Sequence, residues 1–514
     1  MNLSNFLSVA ISTMGVFENV VKIDWLGNII KALIEGCGNI GLGIIVFTLI
    51  LKLITLPFDI FSRVSTRKNS LKMEQMRPEL EKLQKTYSRN QELYSQKMQE
   101  LYKKNGYSPF ASCLPTLLNL IVFFIVIGQF STYSNYANFE VFCDMSRAYQ
   151  TAIVNYDEIN GTDYIFINEN GEMFLDLDYF YNNETQFNLK SNFGFITSTS
   201  EENGVKSTSF SYENTNANIQ KLANEIENGS NVKYKERWSI GEDGQIYLDT
   251  NTNTYKIIVE NCGQDEEGNY VYSSEDEVLT AMCTDLVKCY ANDFIDLVIK
   301  ESAREASANQ FRAHDLKFLW VKNIWCQDLP WEHPIKDTFG AYSFVTESGC
   351  GASCKASCNK VDLSINTVSE EQYAELTANL EEEKNTPNGY LILVILSIGI
   401  MLLSQIIMQN MNKAQTELSS VDGENGTAAQ SQKMMTWMMP IMFGVFSFMY
   451  TASFSIYIII SSAFSLLSTL IINYFVEKKF EKIVAEEARK MELKRLGKLK
   501  ELEELNKKNK KNKK

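Results

Sequence analysis

Histidine is almost missing from this chain: His314 and His333 are the only two among 514 residues. That leaves little material for a histidine-rich metal site. A Walker phosphate loop, a dinucleotide glycine fingerprint and a Gly-x-Ser-x-Gly elbow are missing too, which argues against ATP hydrolysis and redox catalysis. Basic residues are outnumbered, 49 against 63 acidic ones, for a net charge of −14. With a mean hydropathy of −0.18, such averages describe a large acidic soluble protein.

The averages hide segments of opposite chemistry. Residues 131–388 hold 18 basic and 43 acidic side chains, a net of −25, so one block makes the whole chain acidic. Residues 58–113 hold 11 basic and 6 acidic side chains, and residues 477–514 hold 15 and 8. An acidic block of that size argues against nucleic acid as a general partner, and no sequence-specific nucleic-acid contact is expected.

Charge is scarcest in five stretches long enough to cross a bilayer as helices. Ile40–Phe58 carries only Lys52, and Leu114–Ser131, Tyr390–Met408, Met434–Tyr450 and Ser455–Phe475 carry none. These predict spans at 40–58, 114–131, 390–408, 434–450 and 455–475, joined by a cytoplasmic loop at 409–433 and followed by a basic tail at 476–514. Four spans separate the two basic segments, so both lie on one side. Short basic loops stay in the cytoplasm, which places the acidic block 132–389 and the N-terminus outside. Within 1–39, no Lys or Arg precedes Lys22, so a basic secretory start is absent. Asn2–Val21 is read as an extracellular or interfacial segment, and Asp24–Glu35 as an amphipathic helix on the outer surface.

Between the first two spans, over 59–113, Met73, Met76, Leu80, Leu83 and Tyr87 recur at spacings of three and four. That is the seam of a helix packed on a partner helix. After Ser88–Gln91, the seam resumes at Tyr94, Met98 and Leu101. An antiparallel helical hairpin in the cytoplasm is expected. Its basic faces and soft methionines suit a partner chain or anionic lipid, and a purely structural hairpin with solvated charges fits the same pattern.

Lys52 lies about 9 Å from the span end at Phe58 along a helix. A lysine near a bilayer centre costs about 2.5–3.5 kcal/mol on insertion scales, so it snorkels or faces a wet cavity. Thr48, one turn earlier on the same face, fits the cavity.

The acidic block reads as β-rich to about residue 275, around Asn-Gly and Asp-Gly turns, and then as helical over Glu275–Ala308. A compact extracellular α+β domain is expected. Eight of the ten cysteines fall in the block: Cys143, Cys262, Cys283, Cys289, Cys326, Cys350, Cys354 and Cys358. An even count outside the membrane suggests up to four disulfides. Free thiols are the alternative. The Cys350-x3-Cys354-x3-Cys358 run lacks the usual metal knuckle and a nearby histidine, so no metal site is assigned. Cys37 and Cys113 are expected to be unpaired.

Several motifs, taken in order, resemble the YidC/Oxa membrane protein insertase family. They are Thr48-Leu-Ile-Leu-Lys52-Leu-Ile-Thr-Leu-Pro57, Ser70-Leu-Lys-Met73, Met76-Arg-Pro78-Glu, and Met98-Gln-Glu-Leu101-Tyr-Lys-Lys. Ser108-Pro-Phe-Ala-Ser-Cys113-Leu-Pro115 and Gln432-Lys-Met-Met-Thr-Trp-Met-Met-Pro440 continue the series. The resemblance implies a polytopic α-helical membrane protein: a five-span insertase bundle with a cytoplasmic helical hairpin and, here, a large extracellular α+β insertion. Family insertases use no nucleotide or cofactor and break no bond, so no catalytic residue is implied.

By the same resemblance, Lys52, Thr48 and Tyr457 line a hydrophilic groove open to cytoplasm and lipid, and Met73, Met76 and Met98 belong to a hairpin that meets substrates first. The implied partners are nascent membrane proteins, the ribosome held by the basic tail, the Sec translocon and the lipid bilayer. The implied location is a bacterial plasma membrane, N-terminus outside and C-terminus cytoplasmic. Phe318-Leu-Trp-Val-Lys-Asn-Ile-Trp325 is similar to an amphipathic segment of the family's usual outer loop, which divides the extra material into roughly 140–312 and 326–388. An extracellular-ligand receptor and a small-solute transporter are the competing classes. The first finds no kinase or cyclase motif in the tail, and the second no inverted repeat.

Overall fold

The computed structural model describes the chain apart from residues 1–8, 20, 108–113, 184–188, 191–194, 203–204, 213–216, 218–237, 241, 243–245, 251–252, 258–259, 265–269, 274–275, 343–367, 412–437, 439 and 496–514. It divides into two units, one of residues 1–18, 140–314 and 366–381, the other of residues 19–139, 315–365 and 382–514.

The second unit is built from helices. Helix α1, Trp25–Cys37, starts where the Asp24 carboxylate accepts the amides of Leu26 and Gly27 and stops at Gly38 in the left-handed conformation, a glycine end cap. Its start matches the amphipathic segment expected from Asp24. Helix α2 runs unbroken over Ile40–Thr86 with Pro57 and Pro78 inside it, so the first apolar stretch and the first hairpin arm are one rod. Helix α3, Gln91–Lys104, returns against it. Met76, Leu80 and Leu101 form the buried contact, flanked by Leu83, Met98, Tyr102 and Tyr107. The side chain of Met73 is outside the described residues.

Helix α4, Leu114–Val154, contains the second apolar stretch. Helices α5, Ile392–Met411, α6, Pro440–Met449, and α7, Ala452–Arg495, follow. Among the described residues, Ile40–Ser65 and Ala452–Glu481 are long and apolar enough to cross a membrane, while Ile392–Ile407 and Pro440–Met449 are shorter apolar helices. The Met-rich run before Pro440 lies mostly outside the described residues.

These helices carry apolar side chains on both faces: Ile44, Phe47, Phe123, Phe130, Phe454 and Ile458 are buried. Large apolar side chains stand exposed on every one of these helices, including Leu53, Ile54, Phe61, Phe124, Ile395, Ile441 and Phe475. Hydroxyls share the inside: Ser397 donates to Ser447 at 2.8 Å and Ser447 pairs with Ser455 at 2.7 Å. Small hydroxylated residues between tightly packed helices suit a lipid-facing bundle, where apolar contact alone gives no preference for protein over lipid.

The first unit carries the sheets. Strands β1, Val9–Ala10, β2, Ile165–Ile167, and β3, Met173–Leu175, pair antiparallel in the order β1-β3-β2, so the N-terminal segment supplies a strand. Strand β3 ends at Leu175: Asp176 accepts the amides of Asp178 and Tyr179 at 3.1 Å and starts the short helix Leu177–Asn183. Strands β4, Phe195–Glu202, and β5, Val205–Tyr212, form a hairpin. Strands β6, Trp238–Ile240, β7, Ile246–Asp249, and β8, Thr254–Ile257, form a meander, and β9, Glu260–Gln264, pairs with β10, Tyr270–Ser273.

A helical run from Asp276 through Ala313 closes the unit. Arg304 joins it to the Glu370–Leu376 helix through Glu375 at 2.9 Å. Burial opposes the Arg304 charge, but hydrogen bonds and charges from Glu375, Asp296 and Glu301 outweigh it and hold the guanidinium above its ordinary pKa.

One expectation needs correction. Cys143, Cys283 and Cys326 are buried free thiols, not disulfides. Cys289 is buried, the Cys262 side chain is outside the described residues, and so are Cys350, Cys354 and Cys358. The Phe318–Trp325 segment begins as a turn. Phe318 and Val321 pair across a tight turn with Leu319 at φ 55°.

Candidate functional site: a polar seam between two apolar helices

Polar side chains recur every fourth residue along α7: Tyr457, Ser461, Ser465, Thr469, Asn473 and Glu477. Four-residue spacing keeps them on one slowly turning stripe of the helix. Thr48, Lys52, Asp59, Arg63 and Arg67 of α2 form the facing row. Lys52 Nζ donates to Ser465 Oγ at 3.1 Å, Arg63 to Thr469 Oγ1 at 2.6 Å, and Arg67 to Glu477 at 3.0 Å. Partner numbers rise together, so the two helices run parallel. Past the seam, Ile472, Val476 and Phe480 pack with Leu56, Val64 and Leu71.

The seam is graded. At one end Thr48 is 0 % exposed and its hydroxyl returns to Ile44 O at 2.7 Å. Tyr457 is buried there beside Phe130 and Phe454, with ring centroids 5.7 and 6.0 Å away, and is hydrogen-bonded to Ser461. Toward the hairpin end, Lys52, Ser465 and Arg63 are only half-buried. Asp59 acts electrostatically on both Lys52 and Arg63. The serine hydroxyl solvates the Lys52 ammonium without neutralising it, and the charge of Asp59 offsets it in part.

Of the three residues singled out in the sequence, Lys52 lies in the seam, Thr48 is buried one turn before it on α2 and Tyr457 is buried two turns before Ser465 on α7. The hairpin residues Met76 and Met98 pack on each other's helices and lie apart from the seam. Sequence reading missed Arg63, Ser465 and Thr469. The four-residue polar period in α7 was the available signal, diluted by the apolar residues between.

A family model described as 60Kd inner membrane protein matches residues 32–169 and 309–479, more than half of the chain. The chain belongs to this YidC/Oxa family. The matched ranges carry all the apolar helices and reach into both pieces read as extra material, at 140–169 and 326–388. The chain is similar to membrane protein insertase YidC of Enterococcus faecalis, 34% identical over 116 residues, covering 22% of this chain and 40% of that protein. YidC of Jannaschia sp. is 42% identical over 87 residues, 17% of this chain and 13% of that protein. YidC of Fusobacterium nucleatum is 30% identical over 115 residues, 22% and 54% of the two chains. The match thus spans about half of these curated relatives' length or less. No solved structure matches the chain.

Proposed function

We propose that this YidC/Oxa-family chain is a membrane protein insertase that takes nascent membrane segments through the polar seam between α2 and α7. The observation that carries the reading is Lys52 held against Ser465 between two helices whose outer faces are apolar. A substrate's polar or acidic flank meets its barrier in the hydrocarbon core. A wet seam reaching partway shortens that barrier, with Lys52 attracting acidic side chains and Thr48 and Tyr457 lining the inner end. Partition of the apolar segment into lipid then drives release. No bond is broken and no cofactor is assigned.

The five apolar stretches are proposed as five spans, with the N-terminus and acidic insertion outside and the hairpin and basic tail in the cytoplasm. Met73, Met76 and Met98 are proposed in a hairpin that meets substrate first. Six lysines in the last eight residues suit a ribosome, and the Sec translocon is proposed as an alternative route of delivery. In a strain depleted of its own insertase, Lys52→Glu is expected to fail on substrates with acidic translocated segments, and Lys52→Ala to be weaker but active. Full complementation by Lys52→Glu overturns the role of Lys52. Ribosome co-sedimentation that persists without residues 477–514 overturns the role of the tail.

A further inference from the structure

Helix α2 carries a carboxylate where an apolar helix can least easily hold one. Asp59 stands among Phe58, Ile60 and Phe61, all three exposed on the outer faces of the helix. An acidic group inside an apolar stretch is costly unless it faces a polar interior. Asp59 follows Lys52 by seven residues and precedes Arg63 by four, so the three share one face of α2, about 10 Å and about 6 Å apart along the axis. All three are half-buried. That face is turned to the hydroxyl stripe of α7, where Lys52 donates to Ser465 at 3.1 Å and Arg63 to Thr469 at 2.6 Å. Asp59 lies between these two contacts along the helix, and its charge acts on both cations.

Hydroxyls carry no net charge, so the balance along this stretch of the seam is set by the three α2 groups. Two cations and one carboxylate leave a net of +1. One turn past Arg63, Arg67 and Glu477 pair at 3.0 Å and cancel. A neutral residue at position 59 would leave +2, and an entering carboxylate would meet both cations at full strength. Attraction between charges a few ångströms apart in partly hydrated protein is strong enough to trap a group that must afterwards leave. A carboxylate serving only as the i,i+4 partner of Arg63 would add little to the helix at this spacing.

We propose that Asp59 sets the charge selectivity of the seam: it is a resident carboxylate that competes with a substrate's acidic flank for Lys52 and Arg63, so that the flank is drawn in yet held loosely enough to move on. The inference rests on the insertase reading given under the proposed function. It gives the seam a preference for acidic over neutral flanks whose margin Asp59 limits.

Dwell times test it. The full-length chain is reconstituted in proteoliposomes, and a single-span segment is synthesised in their presence with a photoreactive probe in its apolar part. The translocated flank carries either two Asp or two Asn. Cross-linking at intervals gives the dwell of each segment on the chain, and the readout is the ratio of the acidic to the neutral dwell. Asp59→Asn is expected to raise that ratio about tenfold, the scale of one unit charge about 10 Å away in partly hydrated protein. Asp59→Glu keeps the charge and should stay within about twofold of native. Adding Arg63→Gln to Asp59→Asn restores the net of +1 and should bring the ratio back to within about twofold of native. Asp59→Ser places one more of the seam's own hydroxyls at the site and takes the place of the amide if that variant fails to accumulate. A merely structural partner of Arg63 would change both dwells alike. An unchanged ratio in an accumulating neutral variant, or a double variant that stays at the Asp59→Asn value, overturns the selectivity. Absence of any cross-link to the native chain overturns the insertase reading and the selectivity with it, whereas cross-links whose ratio ignores residue 59 overturn the selectivity alone.

Discussion

A thiol that never meets water behaves as a small apolar side chain. Burial pushes Cys326 up to about 11, with Lys336 pulling the other way. Burial, followed by Glu140 and Asp144, pushes Cys143 up to about 12 against the pull of Arg147. Cys283 is raised well above the ordinary value by burial alone. Each raised pKa means that the folded state favours the protonated thiol. The stability this gives is complete below the unfolded thiol value of about 8.5 and is lost as pH rises toward the folded values. Melting temperature should therefore hold up to about pH 8 and fall above pH 9, and Cys326→Ser should flatten part of that fall. Alkylation at pH 8 should miss these three thiols in folded protein and reach them after denaturation, with no need for a reductant. A requirement for reductant would restore the disulfide reading.

Among the elements, the serine contact between α5, α6 and α7 is the place where a single atom matters most. Ser447 accepts from Ser397 and pairs with Ser455. Ser447→Ala takes one partner from each of two buried hydroxyls, which keep Val394 O and the residue-447 carbonyl, and the expected loss is about 0.5–1.5 kcal/mol, seen as a lower melting temperature in detergent. The hairpin behaves differently, because its contact is apolar. Leu80→Ala empties a site that is 4 % exposed, and buried Leu→Ala changes cost about 2–5 kcal/mol. Hydrogen exchange over Gln91–Lys104 should speed up while α7 is unchanged.

This hairpin was legible in the sequence because its contact is local and periodic, as was α1 from Asp24. Strands β7 and β8 were legible from their alternation. The N-terminal strand was not: Val9 and Ala10 pair with Leu175 and Phe174, and two residues give no period to read. The Phe318–Trp325 segment was legible only by resemblance. Its turn rests on the backbone pairing of Phe318 with Val321, which leaves little mark on residue type. Lys52 stood out by being a lone charge in an apolar run, whereas Ser465 and Thr469 are ordinary residues there.

At the scale of the whole molecule, the unit that holds most of the acidic block is not one continuous piece of chain, and that decides how it can be removed. It combines residues 1–18, 140–314 and 366–381. Its three pieces are interlocked: β1 pairs with β3, Phe17 N donates to Ser146 at 3.1 Å, Arg304 grips Glu375, and Ser307 donates to Leu376 O at 2.9 Å. Excising 170–308 alone, the stretch between the two matched ranges, removes Arg304 and Ser307 but leaves Glu375, Tyr373 and Leu376 behind. Tyr373 and Leu376 are 1 % and 0 % exposed, so the cut uncovers apolar surface on a segment left with only part of its contacts, Phe142 and Tyr149 among them, and such faces invite aggregation. Excising all three pieces, with flexible linkers across the gaps, removes the unit together with its own core. If the insertase function resides in the helices, the three-piece excision should accumulate and complement an insertase-depleted strain. The single excision should accumulate at a fraction of that level. Equal accumulation of both would show that the 366–381 segment stands without its partners. Failure of the three-piece excision to complement, at normal levels, would place part of the function in the acidic unit.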